Sequence, residues 1–97
     1  MRLILAPLAR QDLRQFYIRI ADDDLPAARK WIGTMAKLFQ TIASQPGIGH
    51  SRDGLRKGWR SIADGNYIVY WRRVGDAVEI SRITYGAQDQ RRALRTR

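Results

Sequence analysis

Arg60, Arg82 and Tyr85 are the side chains of this chain whose types and placement could handle a phosphate. Arginine presents a planar fork of donors matched to phosphate and carboxylate oxygens, and a tyrosine hydroxyl can carry a proton. Metal-independent cleavage of RNA needs an acceptor for the 2′-hydroxyl proton, a donor for the leaving oxygen and cations on the phosphorane. Tyr85, Glu79, His50 and Lys57 are the candidate proton carriers, with Arg60 and Arg82 as stabilisers. No pair among them is diagnostic. His50 sits in a Gly-rich loop, where a surface residue is expected, and Tyr85 ends a strand beside Gly86, a place that serves packing as readily as catalysis. The sequence contains no phosphate-cradling glycine loop, no nucleophile elbow and no zinc pattern. With no cysteine, disulfides and thiolate metal sites are excluded; a single histidine makes a His-based site implausible, and neither metal nor cofactor is expected.

These residues lie in a run of strands. Trp59–Ala63, Asn66–Arg72 and Val78–Tyr85 alternate between apolar and polar residues and are joined by Asp64-Gly65 and Gly75-Asp76. Such dipeptides favour the tight primed turns of hairpins, which need positive φ. The second half therefore reads as an antiparallel meander. Strict alternation groups Arg60 with Ile62, and Arg82 with Val78, Ile80 and Thr84, leaving Glu79, Ser81, Ile83 and Tyr85 on the opposite face. An arginine among apolar neighbours needs a carboxylate, a carbonyl or a phosphate. Either it finds one, with Glu79 and Asp64 as internal candidates, or it reaches past its neighbours to water.

Before the meander, Arg2–Leu5 reads as a short strand and Pro7 suits the first turn of a helix. Leu13, Phe16, Tyr17 and Ile20 form one apolar stripe, with Arg10, Arg14 and Arg19 toward water. Asp22-Asp23-Asp24 separates this helix from a second, which starts near Leu25-Pro26 and carries Ala28, Trp31, Ile32, Met35, Leu38, Phe39 and Ile42 at helical spacing. Gln45-Pro46-Gly47 ends it. The order βααβββ implies an α+β fold, a helical hairpin packed on an antiparallel sheet. One domain is expected over residues 1–97, with a polar basic tail at about 87–97.

The net charge is +9, from 18 Lys+Arg against 9 Asp+Glu, and the isoelectric point is about 11.1. That balance implies an acidic partner: nucleic acid, a membrane surface or an acidic protein. Fifteen of the 18 cations are arginine. No segment approaches the length of a membrane span. The apolar start, Met1–Ala9, is broken by Pro7 and followed by Arg10, so a secretory signal is not expected and a cytoplasmic location is.

Several segments resemble the ParE/RelE toxin superfamily. They are Leu5-Ala6-Pro7-Leu8-Ala9-Arg10-Gln11-Asp12-Leu13, Pro46-Gly47-Ile48-Gly49, Leu55-Arg56-Lys57-Gly58-Trp59-Arg60-Ser61, Tyr67-Ile68-Val69-Tyr70 and Ile80 through Asp89. Their order and spacing cover nearly the whole chain. The resemblance implies the RelE/ParE-like fold and a toxin of a type II toxin–antitoxin system. Within the superfamily, ParE-like members poison DNA gyrase and RelE-like members cleave messenger RNA on the ribosome.

The closing segment looks more like the ParE branch, where histidine-glycine often stands at the Tyr85-Gly86 place. Against the nuclease, a dense lysine set before the second strand is missing. The resemblance thus implies binding rather than catalysis: trapping of gyrase's cleaved-DNA complex, with only indirect contact to DNA, and neutralisation by an acidic ParD-like antitoxin. Arg60, Arg82, Tyr85, Arg91 and Arg92 are the expected target contacts, and Ile18, Arg14 and Arg56 the expected antitoxin contacts. The alternative is a ribosome-dependent mRNA endoribonuclease using Arg60, Arg82 and Tyr85. A third reading, a non-toxic basic nucleic-acid-binding module, lacks an aromatic stacking pattern on an exposed face.

Overall fold

The computed structural model describes residues 1–86. The expected tail, with Arg91 and Arg92, lies outside the described residues. Strand β1 (Arg2–Leu5) leads into helices α1 (Pro7–Asp23) and α2 (Leu25–Ser44), followed by β2 (His50–Ser51), β3 (Arg60–Asp64), β4 (Tyr67–Val74) and β5 (Ala77–Tyr85). The helical hairpin on a sheet is the expected α+β fold. The sheet has the order β1-β5-β4-β3-β2 and is mixed rather than purely antiparallel, because β1 pairs parallel with β5, Leu3 opposite Val78. Two helices and three strands separate β1 from β5, ample chain for a parallel crossover connection. His50, expected in a loop, belongs to the two-residue edge strand β2 and stays exposed.

Local chemistry accounts for the element ends. Pro7 opens α1, and Asp24 caps α2 by accepting from the Ala27 N–H at 3.1 Å. Both hairpin turns put the positive φ on glycine alone, +61° at Gly65 and +60° at Gly75, as type II′ turns require. Apolar spacing then decides the layers. Met35, Phe39 and Ile42 of α2 meet Val69, Trp71, Val78, Ile80 and Ile83 of the sheet, with Leu13, Phe16 and Trp31 packed around them. Each large aliphatic or aromatic side chain so buried contributes about 1.5–3 kcal/mol. Trp59 and Tyr70 form a smaller cluster with Ile68 on the other side of the sheet.

The strict alternation expected for β5 is broken. Tyr70 pairs with Arg82 but Trp71 pairs with Ile80, so Ser81 is an extra residue, a β-bulge. The bulge shifts the phase by one residue. Ile83 therefore joins Val78 and Ile80 in the core, and Arg82 and Thr84 leave that face. Arg82 does not share a face with Val78 and Ile80, and Ile83 does not oppose them.

The arginine's partner is Asp12 of α1, not Glu79 or Asp64. Arg82 Nε donates to Asp12 Oδ2 at 2.8 Å and Nη2 to Oδ1 at 3.0 Å, while the Ile83 N–H donates to Oδ2 at 2.9 Å. Both residues are buried, Asp12 at 8% exposure and Arg82 at 7%. β1 covers the edge of β5 only as far as Ile80, whose carbonyl takes the Ala6 N–H at 2.9 Å. Past that point the Asp12 carboxylate stands in for the missing strand. Glu79 instead pairs with Arg72 Nε at 2.9 Å.

Removing one partner of a buried pair strands the other charge, at a cost of about 3–5 kcal/mol. Asp12→Ala should lose about that much in urea unfolding, whereas Asp76→Ala, which breaks the exposed Arg2–Asp76 pair, should leave the midpoint nearly unchanged.

Candidate functional site

Arg60, Arg82 and Tyr85 do not converge. Arg60 is opposite Trp71 and Arg82 opposite Tyr70, neighbouring positions of β4 whose side chains take opposite faces. Tyr85 is opposite Tyr67, four residues along β4 from Trp71, or about 13 Å at the rise of a strand. A proton acceptor and its stabilising cations must lie within hydrogen-bond reach of one phosphate. These three do not.

Each has its own structural partners. Arg60 Nε donates to the Ile48 carbonyl at 2.9 Å, and Nη2 to those of Gly47 and Gly49 at 2.8 and 3.1 Å. The guanidinium is thereby locked to the 47–49 loop by neutral acceptors, and its charge is not cancelled. Gly49 at φ +76° allows that loop to lie against β3, since a Cβ there would run into the Ser61 carbonyl and the Trp71 ring. Tyr85 packs edge-on against Tyr67 at 4.9 Å and tilted on Phe16 at 6.5 Å, with its hydroxyl accepting from Asn66 Nδ2 at 3.4 Å. It is 39% exposed, an aromatic at the rim of the helix-side layer.

The far side of the sheet carries a polar row across three strands: Ser61, Tyr70 and Arg82 in register, with Arg52 Nε donating to Ser61 Oγ at 2.7 Å. Burial pushes the Tyr70 hydroxyl pKa up, and the Thr84 hydroxyl and the Arg52 charge oppose that shift. Arg56, expected at the antitoxin interface, lies 5.4 Å over the Trp59 ring on this side. Ile18 and Arg14 are exposed on α1, one helical turn apart, beside a groove of about 400 Å³. Leu5, Leu13, Tyr17 and Ile32 supply its apolar lining, and Arg10 and Arg14 its charge.

A second concavity, of about 330 Å³, opens where β4 outruns β3. Pro46, Lys57, Arg60, Trp71, Arg72 and Arg73 line it. Sequence reasoning reached Lys57 and Arg60 but missed Arg72 and Arg73. The signal was the Arg-Arg pair between Trp71 and the Gly75 turn, on a strand long enough to overhang its neighbour. Among the described residues no cluster of His, Cys, Asp or Glu could hold a metal ion, and no helix is long and apolar enough to cross a membrane.

Arg60→Ala should free the 47–49 loop and cost about 1.5–3 kcal/mol, as hydrogen bonds to a charged group do, and Arg60→Lys should recover only part of it. Denaturant unfolding with hydrogen exchange at Ile48 and Gly49 checks both. Above pH 10 the unfolded chain ionises Tyr70 before the folded one does, so its stabilising effect, complete below pH 10, is lost as pH rises through the raised folded value. Tyr70→Phe should accordingly lose less stability than the parent between pH 9 and pH 11, by the same unfolding measurement.

The chain is similar to known proteins in sequence and in fold. A curated relative, toxin ParE1 of Caulobacter vibrioides, is 38% identical over 56 residues, 58% of this chain and 57% of that protein. The chain thus aligns with little more than half the length of that relative. A solved structure described as a chromosomal ParDE TA system from P. aeruginosa superposes with a TM-score of 0.75 at 21% identity, covering 89% of this chain and 96% of that one, a likeness of fold. The family described as the ParE toxin of type II toxin-antitoxin system, parDE, matches residues 3–90. With a match over residues 3–90, nearly its full length, the chain belongs to the ParE toxin family.

Proposed function

We propose that this chain arrests growth by binding DNA gyrase and holding it in the cleaved-DNA state, and that a ParD-like antitoxin neutralises it. Membership of the ParE family over residues 3–90 carries this reading. The separation of Arg60, Arg82 and Tyr85 supports binding over RNA cleavage, because these three cannot meet at one phosphate. A poison needs only to favour the cleaved state over the resealed one, so differential affinity suffices and no bond need be made or broken by the toxin. Of the expected target contacts, Arg60 lines the cleft at the β3–β4 step and Tyr85 is accessible. Arg82 acts through Asp12 by holding β5 against α1.

The antitoxin occupies the groove along α1 in this reading. Its apolar lining with two arginines suits an amphipathic segment with acidic flanks. Ile18, 52% exposed and one helical turn on from Arg14, is the exposed apolar contact on the same helix.

With gyrase and supercoiled plasmid, the purified toxin should stop supercoiling and accumulate broken DNA after detergent and protease treatment. Unchanged supercoiling with no trapped breaks at saturating toxin overturns the reading, and message cleavage in a translation assay on the same sample would replace it with the nuclease. Combining Arg14→Glu with Ile18→Asp should weaken antitoxin binding about tenfold or more by titration calorimetry, about 1.4 kcal/mol, and leave gyrase trapping intact.

A further inference from the structure

The cleft at the β3–β4 step has the chemistry of a built polyanion site. Register explains its shape. β3 begins at Arg60, opposite Trp71, so among the described residues Arg72, Arg73 and Val74 continue without a neighbouring strand on that side. The loop holding Pro46 and the turn holding Lys57 and Gly58 form the facing wall. The Trp71 indole lies between them, fixed by its Nε1 donating to the Pro46 carbonyl at 3.0 Å.

Among the described residues, four cations line this space and no carboxylate does. Two acids touch residues of its wall without lining it: Asp53 accepts from the Gly58 N–H at 2.8 Å, and Glu79 pairs with Arg72, so the cleft's uncompensated charge rests on Lys57, Arg60 and Arg73. Arg60 is pre-organised by three carbonyls through Nε and Nη2, which leaves Nη1 without a partner among the described residues. Lys57 and Arg73 are exposed, and their side chains make no hydrogen bond or ion pair there. Folding has thus placed a fixed guanidinium beside two adaptable cations, around a volume at the small end of ligand sites. A single carboxylate would leave most of that charge unmatched. A run of phosphates would not.

We propose that this cleft grips the phosphodiester backbone of DNA directly, with Arg60 as the fixed contact and Lys57 and Arg73 closing on the adjacent phosphates. The assignment to DNA rests on the gyrase reading above; the cleft's preference for a polyanion rests on its own geometry. Direct contact would let the toxin hold a broken strand and the enzyme together. Binding would be insensitive to sequence and steeply dependent on salt, since each neutralised phosphate releases condensed counterions.

Fluorescence anisotropy with a labelled DNA duplex of about 20 base pairs tests this on the toxin alone, from 50 to 200 mM salt. The double variant Lys57→Ala/Arg73→Ala should bind at least about tenfold more weakly, with a salt slope shallower by about two. Arg29→Ala/Lys30→Ala, which removes the same charge from exposed positions on α2, should stay within about threefold of the parent. Lys57→Arg/Arg73→Lys should restore binding, and thermal melting of all variants should match. No duplex binding by the parent, equal binding by the double variant, or equal losses in both double variants overturns the proposal. Tighter binding of single-stranded RNA than of DNA, or loss of antitoxin affinity with DNA binding intact, overturns it in favour of RNA or of an acidic peptide. A toxin that grips duplex through these residues yet never traps gyrase overturns the gyrase reading and leaves the cleft standing. A double variant that still traps gyrase while binding duplex normally does the reverse.

Discussion

The carboxylate of Asp12 makes three bonds that decide how the layers of this protein meet. It takes Nε and Nη2 of Arg82 and the backbone N–H of Ile83, in a place where both side chains are buried. Parallel strand β1 protects the edge of β5 only to Ile80, and a bare strand edge beyond it would expose polar backbone to the underside of a helix. Asp12 satisfies that edge from above. In doing so it fixes the height and rotation of α1 over the sheet, which brings Phe16 within ring contact of Tyr67 and Tyr85 and lets α2 fill the remaining space. Both charges must be present for the arrangement to hold, because removing either takes a paired, buried partner from the other.

The bulge at Ser81 is the companion to this contact. By shifting the phase of β5 it delivers Ile83 to the core and Arg82 to the edge, so one extra residue sorts an arginine from the apolar neighbours it would otherwise crowd. Its consequence for function is a division of labour among cations. Arg82 is spent on internal structure, Arg60 is spent on a loop but keeps its charge, and Lys57 and Arg73 are spent on nothing in the described fold. A surface organised this way suits recognition of an extended acidic partner. It does not suit acid–base chemistry at one atom, which demands convergence.

Much of this was legible along the chain. Helix periodicity located the residues that pack, from Leu13 and Phe16 to Met35 and Ile42, and the Asp24 cap and the Gly65 and Gly75 turns sit where their chemistry requires. An arginine in an apolar strand signalled a hidden partner. Its identity was not legible, since Asp12 lies 70 residues away and looks like any exposed acid of an amphipathic helix. The Lys57–Arg73 cleft was hidden for a similar reason. Its walls belong to segments that meet only because β4 outlasts β3.

Sequence by itself determined the local decisions: where helices start and stop, which turns close the hairpins, and which family the pattern resembles. Those depend on backbone preferences and hydrophobic period, both effects of a few residues' range. Only the tertiary structure decided that β1 joins in parallel, that Ser81 bulges, that Asp12 claims Arg82, and that Arg60 and Tyr85 stay apart. Strand register and buried charge pairing are settled by which distant surfaces must be desolvated together, and no window along the chain contains that information.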